Sequence, residues 1–239
     1  MRGFLGFTVL ALVGLAALVF FVLPTLVQPM VVSAVRSALA FGDQALQIDA
    51  TVTGPGLLGG AIDEIRIRGS NLDVISPNAG VRIGKLDVTL HHVSIGDHAF
   101  RAVSGGLDDV AIPLSNGAPI TILRVELTGE SNAVTGAAQF GPEQARAFIT
   151  RCFADAGITV DGVQLEDGRV AVMVFGQRVD LAIGVQDGAL VVPDALGAGP
   201  ITLIQPGVDD QWRLTGTSVT PGSLEIDVVV NAATLLARR

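Results

Sequence analysis

The chain has 239 residues and a net charge of −8, and its 15 lysines and arginines are too few for the basic surface of a nucleic-acid-binding protein. Cys152 is the only cysteine, which excludes an intramolecular disulfide and a cysteine-based zinc site. The mean hydropathy is nevertheless +0.57, although aromatic residues make up only 5% of the chain. The sequence therefore contains a membrane segment, an unusually apolar folded body, or both.

An uncharged run of twenty residues, Phe4–Leu23, precedes Pro24 near the N-terminus. As a helix rising ~1.5 Å per residue, this run would span ~30 Å, the thickness of the hydrocarbon core of a bilayer. We therefore expect a transmembrane anchor over residues 1–24 and an extracytoplasmic domain over residues 25–239. The side chains expected to contact lipid in the anchor are Phe4, Phe7, Leu12, Leu15, Phe20 and Phe21.

A cleaved secretory signal is the alternative for this segment. Its apolar run would be shorter, about 7–15 residues, and a cleavage site between small residues would follow closely. The best such sites, Val32–Ala34 and Ala38–Ala40, lie well beyond Leu23, which favours an uncleaved anchor. In either case, Arg2 before the segment favours a cytoplasmic N-terminus and a body outside the membrane.

The body that follows is acidic. Residues 1–40 contain Arg2 and Arg36 but no acid, so residues 41–239 carry 13 cations and 23 acids, a net charge of −10. Such a body is not expected to bind anionic lipid headgroups through its overall charge.

Apolar periodicity predicts a short helix and then a series of strands. From Val31 the apolar residues recur with helical spacing, whereas from Leu46 they alternate as in half-buried strands. A glycine-rich stretch, Gly54–Gly60, separates the first two strands and lacks the Lys-Ser/Thr of a phosphate loop. The strands predicted before residue 141 are Leu46–Thr53, Ile62–Arg68, Val81–Ile95, Leu107–Leu114, Ile120–Thr128 and Ala133–Phe140.

One clear helix interrupts these strands after Gly141. Pro142 and Glu143 favour a helix N-terminus, and Gly157 favours the end of that helix. The buried face of the helix is predicted to consist of Ala145, Phe148, Ile149, Cys152 and Ala156. Cys152 is therefore expected to be a buried thiol rather than a reactive one.

Short strands joined by tight turns follow the helix. Asp167-Gly168 and Asp187-Gly188 stand between apolar runs, which is the strongest local signal for a two-residue hairpin. The strand between Val170 and Phe175 is apolar on both faces. The predicted strands are Ile158–Leu165, Arg169–Phe175, Arg178–Gln186, Ala189–Val192, Ile201–Ile204, Trp212–Thr220 and Leu224–Val230. Together the elements predict one α+β domain built on an extended antiparallel sheet.

No strong catalytic or metal-binding signature accompanies these elements. The nearest approach to a Gly-x-Ser-x-Gly nucleophile motif, Gly129–Ala133, lies between two strands rather than on a strand-to-helix turn. His91 and His92 would point to opposite faces of a strand, and His98 lies in a predicted turn. We therefore assign no catalytic residue, metal site or cofactor.

Three stretches of the sequence carry a resemblance to a known family. They are Ile48–Gly60 leading into Ile62–Arg68, the helix-and-hairpin run Phe140–Pro193 with its Glu166-Asp167-Gly168 and Asp187-Gly188 turns, and Trp212–Leu236 with Val219–Leu224 near its centre. In this order and spacing they resemble the actinobacterial and cyanobacterial envelope family that includes the mycobacterial lipomannan elongation and maintenance protein.

The resemblance implies a tubular lipid-binding (TULIP-like) fold, in which a strongly curved antiparallel sheet wraps around one or two helices and leaves an apolar groove or tunnel. The implied function is to hold or transfer a glycerolipid or lipoglycan precursor in the cell envelope, with lipid and membrane as partners. We expect Leu57 and Leu58 at the mouth of the cavity and Phe140, Phe148 and Phe175 along its lining. Some relatives are linked to phospholipase activity, so an envelope hydrolase is one alternative, and a non-catalytic β-rich scaffold is another.

Overall fold

The computed structural model describes residues 46–51, 61–76, 79–94, 99–114, 117–193, 199–207 and 211–231. These residues form mostly antiparallel sheet with one helix, which confirms the β-rich part of the predicted fold. None of their helices is long and apolar enough to cross a membrane. The predicted anchor Phe4–Leu23, the predicted helix from Val31 and the expected mouth residues Leu57 and Leu58 lie outside the described residues.

Fourteen strands and one helix are present in the described part of the chain. In chain order they are β1 (Leu46–Thr51), β2 (Ala61–Ser76), β3 (Ala79–Ser94), β4 (Ala99–Leu114), β5 (Gly117–Glu130), β6 (Ala133–Phe140), α1 (Pro142–Asp155), β7 (Gly162–Glu166), β8 (Arg169–Val174), β9 (Gln177–Leu181), β10 (Gly184–Gln186), β11 (Ala189–Val192), β12 (Ile201–Ile204), β13 (Trp212–Thr220) and β14 (Ser223–Val230).

The strands form one large and two small sheets. The large sheet has eight antiparallel strands in the order β1-β2-β3-β4-β5-β6-β14-β13, and the small sheets are β7-β8-β9 and β10-β11-β12. One face of the large sheet is apolar and buried, as the alternation of β14 shows at Leu224, Ile226, Val228 and Val230. The opposite face carries exposed ion pairs such as that between Arg66 and Asp87.

Four strands of the large sheet are longer than their alternation predicted. The prediction for β2 ended at Arg68 and that for β4 began at Leu107, whereas both strands contain 16 residues. Within each strand the alternation of buried and exposed residues is interrupted, although the strand stays paired with its neighbours. In β3, for example, Ile83 and Leu86 are both buried three residues apart, and so are Leu90 and Val93.

These breaks coincide across neighbouring strands and form what we call the first inversion line, which consists of Asn71, Gly84, Asp109 and Leu123. The pairs Ser70–Lys85 and Leu72–Ile83 flank it between β2 and β3, and the same antiparallel register holds on both sides. It also holds between β3 and β4 and between β4 and β5. On β2 to β5, the alternation of buried and exposed residues therefore shifts by one residue at the same level, while the pairing register is unchanged.

The residue types on this line explain how the strands tolerate the inversion. Asn71 and Asp109 have φ values of 52° and 53°, in the left-handed region. Asparagine, aspartate and histidine are the non-glycine residues enriched there. Gly84 lies between them, and a Cβ atom at that position would be only 2.8 Å from the Cβ of Asp109.

A second inversion line lies eight residues away along each of three strands, at Asp63, His92 and Arg101. His92 has a φ of 49°. The flanking pairs Glu64–His91 and Ile62–Val93 again keep one register. The large sheet is thus divided into segments whose alternation restarts at each line.

The helix prediction is confirmed in its bounds and corrected at one core position. Helix α1 begins at Pro142, and Gly157 after its end has a φ of 81°, as expected of a glycine that terminates a helix. Ala156 is exposed rather than buried because the helix ends at Asp155. Phe153, which the prediction omitted, is buried in its place.

The hairpins after the helix are confirmed at both Asp-Gly turns, which join β7 to β8 and β10 to β11. Val170, Ala171 and Val172 are all buried, so β8 is apolar and covered on both faces at its start. The prediction of one strand over 178–186 is wrong. The chain leaves the first small sheet after Leu181 and enters the second at Gly184, because these two residues pair with different strands.

Candidate functional site

A groove of about 720 Å³ lies between the outer side of α1, the start of β5 and the start of β7. Its lining combines apolar side chains with charged side chains at the edge. Its volume falls within the range of about 300–1,000 Å³ that is typical of small-molecule sites.

Helix α1 forms one wall of the groove through a stripe of small side chains. Ala147, Thr150 and Ala154 recur with the spacing that places residues on one face of a helix, and all three are exposed. The opposite face of the helix holds the large apolar side chains, including Phe148, Ile149 and Phe153, and packs into the core. Because the outer stripe is small, space remains over the helix.

The apolar floor of the groove continues the core of the protein. Phe148 lines the groove and is only 3% exposed, and its ring stacks on that of Phe140 with a centroid separation of 4.8 Å. Ile120 from β5 and Val163 from β7 complete the apolar lining and are partly buried. An apolar ligand would therefore lie on a surface that the fold holds rigidly from below.

Charged side chains stand at the edge of the groove. Arg151 forms an ion pair with Asp155, in which Nε lies 3.0 Å from Oδ1. Arg146 is exposed and forms no ion pair with another described residue. Glu143 lies in the first turn of α1, where its charge complements the helix dipole. The guanidinium of Arg146 is thus available to an anionic group, which arginine can bind through two parallel hydrogen bonds.

The structure brings together two of the five residues predicted to line a lipid cavity. Phe140 and Phe148 stack on each other, and Phe148 also lines the groove. Phe175 is elsewhere, at the tip of the β8–β9 hairpin, and its side chain is 93% exposed. Leu57 and Leu58 are not among the described residues.

Cys152 is a buried thiol, as predicted. It lies on the inner face of α1 and is 5% exposed. Burial, which penalises the thiolate, is the main cause that raises its pKa to about 12, and the carboxylate of Asp155 adds to the effect. Cys152 is therefore protonated at neutral pH and is not a nucleophile there.

Ser131, His91 and His92, the other candidates for a catalytic or metal-binding role, lie in turns and strands of the large sheet. Ser131 lies in the β5–β6 turn, and its backbone N–H donates to the carbonyl of Phe100 at 3.4 Å. Nδ1 of His91 is 3.6 Å from a carboxylate oxygen of Glu64, whereas His92 is on the second inversion line. No three His, Cys, Asp or Glu side chains within the described ranges are placed to hold a metal ion.

A second cleft, of about 500 Å³, opens on the charged face of the large sheet near Gly105 and Gly106. Arg66 and Asp87 form a bidentate pair there, at 2.9 and 2.7 Å. Gly105 has a φ of 133°, and a Cβ atom on it would lie 2.2 Å from the carbonyl oxygen of Asp87. Close approach of the two strands explains this glycine, and ion pairing explains the charges.

Sequence reasoning missed the outer side of α1. The prediction named Phe148, which forms part of the groove floor, but not Arg146 and Ala147 on the exposed face, which also line the groove. The signal was present in the sequence as a stripe of small residues, Ala147, Thr150 and Ala154, where a solvated helix normally carries long polar side chains.

Comparisons of the chain with models of protein families, with curated proteins and with solved structures found no match.

Proposed function

We propose that this protein is a membrane-anchored, extracytoplasmic lipid-binding protein that holds or transfers a glycerolipid or lipoglycan precursor in the cell envelope. The observation that carries the proposal is the groove beside α1, which combines an apolar floor with an arginine at its edge that forms no ion pair with a described residue. The predicted segment Phe4–Leu23 would supply the anchor, and the resemblance to the envelope family described above points to the same class of ligand.

The apolar part of the groove suits an acyl chain. Phe148, Ile120 and Val163 offer hydrocarbon without a polar group that a bound chain would leave unpaired. Burial of each methylene group of such a chain contributes ~0.8 kcal/mol. Each methylene group placed over Ala147 and Ala154 would therefore add to the free energy of binding.

The charged edge suits an anionic headgroup. Arg146 has no ion pair among the described residues, so a phosphate can bind it without first displacing a carboxylate. Arg151, five residues further along α1, also lines the groove but is tied to Asp155. Binding of the headgroup therefore depends mainly on Arg146, and the acidic body as a whole opposes non-specific attraction of anionic lipids.

The architecture supports the proposal more broadly. Helix α1 packs its buried face against β5, β6 and β14 of the large sheet. A helix packed on an antiparallel sheet is one element of the TULIP-like fold that the resemblance implies.

The experiment is native mass spectrometry of the full chain, purified in mild detergent and offered phosphatidylglycerol or phosphatidylcholine. We expect one lipid to remain bound at low detergent. Ala147→Trp should abolish this binding by filling the groove, whereas Ala156→Trp, at an exposed position beyond the end of the helix, should not change it. Equal binding by the two variants would show that the lipid is not in this groove.

A charge substitution tests the headgroup contact separately. Arg146→Gln should weaken binding of phosphatidylglycerol by about tenfold, because a charge-assisted bidentate contact is lost. Arg213→Gln is the matched control, since Arg213 is also exposed and forms no ion pair with a described residue. If both variants bind phosphatidylglycerol like the wild type, the headgroup is held elsewhere.

A further inference from the structure

The tip of the β8–β9 hairpin combines two unfavourable features. Val174 and Gln177 form the last pair of the hairpin, so Phe175 and Gly176 are the two turn residues. Both have positive φ, 50° and 74°. This backbone favours asparagine, aspartate or glycine at the first turn position and disfavours an aromatic residue. The Phe175 side chain is 93% exposed, so it gains little compensating contact with the residues that the structure describes.

A second hairpin of the same molecule has the same turn backbone but a different first turn residue. Asp187 and Gly188 join β10 to β11 with φ values of 53° and 77°. The backbone is the same within a few degrees, and the first turn residue is the expected aspartate. Phe175 is therefore not a requirement of the turn, and its position calls for a partner outside the chain.

The Phe175 tip lies next to the groove described above. Met173 pairs with Gly162, and Gly162 and Val163 line the groove. The turn is also fastened to this strand end, because the N–H of Gly176 donates to Oδ2 of Asp161 at 3.3 Å. At ~3.3 Å per residue, Phe175 is roughly 7 Å beyond the groove wall along the strand.

We propose that Phe175 inserts into the interfacial region of a lipid bilayer and places the groove beside α1 at the membrane surface, so that lipid passes between the bilayer and the groove. This inference rests on the proposed function and names the membrane as the second partner of that site. A single aromatic side chain is a small contact for a protein partner, which needs about 800 Å² on each side. The predicted segment Phe4–Leu23 would already hold the chain at the membrane, so one aromatic side chain can orient the body there.

The charges around the tip indicate how it would bind. Asp161, just before β7, bonds to the turn, and Arg178 is the first charged residue of β9, so the two charges balance each other. Arg178 is also tied to Glu166 and Asp180. The body is acidic overall. Insertion should therefore depend on apolar contact, be nearly independent of salt, and occur in zwitterionic bilayers.

The test uses the full chain reconstituted into phosphatidylcholine vesicles that contain lipids brominated on the acyl chains. Trp212 is the only native tryptophan and is 5% exposed, so the wild type supplies the background emission. We expect the added tryptophan of Phe175→Trp to be quenched by the brominated lipids, in low and in high salt. Asp187→Trp, at the equivalent position of the matched hairpin, should not be quenched.

The contrary results are distinct. Absence of quenching in Phe175→Trp overturns the insertion, and so does a blue shift of its emission without quenching, because that result places the tip against protein. Neither outcome bears on whether the groove binds lipid, which the Ala147→Trp variant tests independently. Equal quenching at positions 175 and 187 would also overturn the assignment of this tip.

A second variant links the tip to lipid exchange. Phe175→Asn restores a residue that favours positive φ, so the midpoint of thermal unfolding should stay equal or rise. Loading of pyrene-labelled phosphatidylglycerol from vesicles into the groove should slow by about tenfold or more, since the apolar contact with the bilayer is lost. An unchanged loading rate with intact folding would overturn the role proposed for Phe175.

Discussion

Gly84 and Asp109 face each other across the β3–β4 ladder so closely that a methyl group on Gly84 would lie 2.8 Å from the Cβ atom of Asp109. Asp109 has a φ of 53°, which turns its side chain toward the neighbouring strand. The two residues form the centre of the first inversion line. The glycine is required there because its partner occupies the space that any other side chain would need.

Replacement of this glycine should therefore be costly. We expect Gly84→Ala to lower the free energy of unfolding by about 1–3 kcal/mol, because the backbone or Asp109 must shift to relieve the contact. Gly184→Ala is the control, since a Cβ atom at position 184 meets no atom within 4 Å. Chemical denaturation of the two variants measures the difference, and equal stabilities would contradict the close approach.

The second inversion line makes two adjacent histidines respond differently to the same substitution. His92 has a φ of 49°, whereas His91 has no positive φ. We expect His92→Ile to cost about 1–2 kcal/mol, because a β-branched residue is strained in the left-handed region. His91→Ile should change stability by less than about 0.5 kcal/mol, since His91 is paired only with exposed Glu64 and isoleucine favours strands. Thermal unfolding of both variants measures the contrast; a larger loss at position 91 would refute the assignment of the inversion line.

A four-residue ion-pair cluster on β7, β8 and β9 should contribute stability that depends on acid. Hydrogen bonds from Arg178 and then from Arg169 lower the pKa of Glu166 below its ordinary value of 4.5. Because the folded state favours the carboxylate, this contribution is present above pH 4.5 and is lost as the pH falls through the lowered pKa. An NMR titration of the Glu166 carboxyl should show the low midpoint in the wild type.

The same titration in two variants separates the cause from a general effect of charge. In Arg178→Gln the midpoint of Glu166 should move up toward 4.5, because the largest stabilising contact is removed. Arg213→Gln, near the start of β13 and away from Val219, the residue of that strand that contacts the β7–β8 turn, should leave it unchanged. A midpoint that shifts equally in both variants would show that the overall field of the protein, rather than the hydrogen bond, lowers the pKa.

Local patterns predicted the elements in which each strand or helix follows a single period. The strands over 133–140, 189–192, 201–204 and 212–220 match their predictions at both ends, and the helix was predicted from Pro142 and Gly157. Both Asp-Gly hairpins were predicted correctly because two adjacent residues determine the type of turn. In these segments local sequence and tertiary structure favour the same conformation.

The long strands and the groove could not be predicted in the same way. Alternation in β2 and β4 restarts at Asn71 and Asp109, so only a fragment of each strand is recognisable until its partners are known. The groove depends on which exposed face of α1 meets the start of β5, a relationship between segments about 25 residues apart in the chain. The pattern of one sequence does not indicate which of two such segments come into contact.

Ionisation of the Cys152 thiol should lower the free energy of unfolding as the pH rises through an alkaline range in which few other groups titrate. Burial raises the pKa of its thiol from 9.0 to about 12 in the folded protein, so the folded state holds the proton more tightly than the unfolded state. The free energy of unfolding should be constant with respect to this group below pH 9 and should fall between pH 9 and pH 12. The chain has no tyrosine and only one lysine, exposed Lys85, so this interval is nearly free of competing titrations. Denaturation at pH 8, 9.5 and 11 should show the decline in the wild type and a smaller decline in Cys152→Ala, whereas parallel declines in both proteins would show that the thiol is not its source.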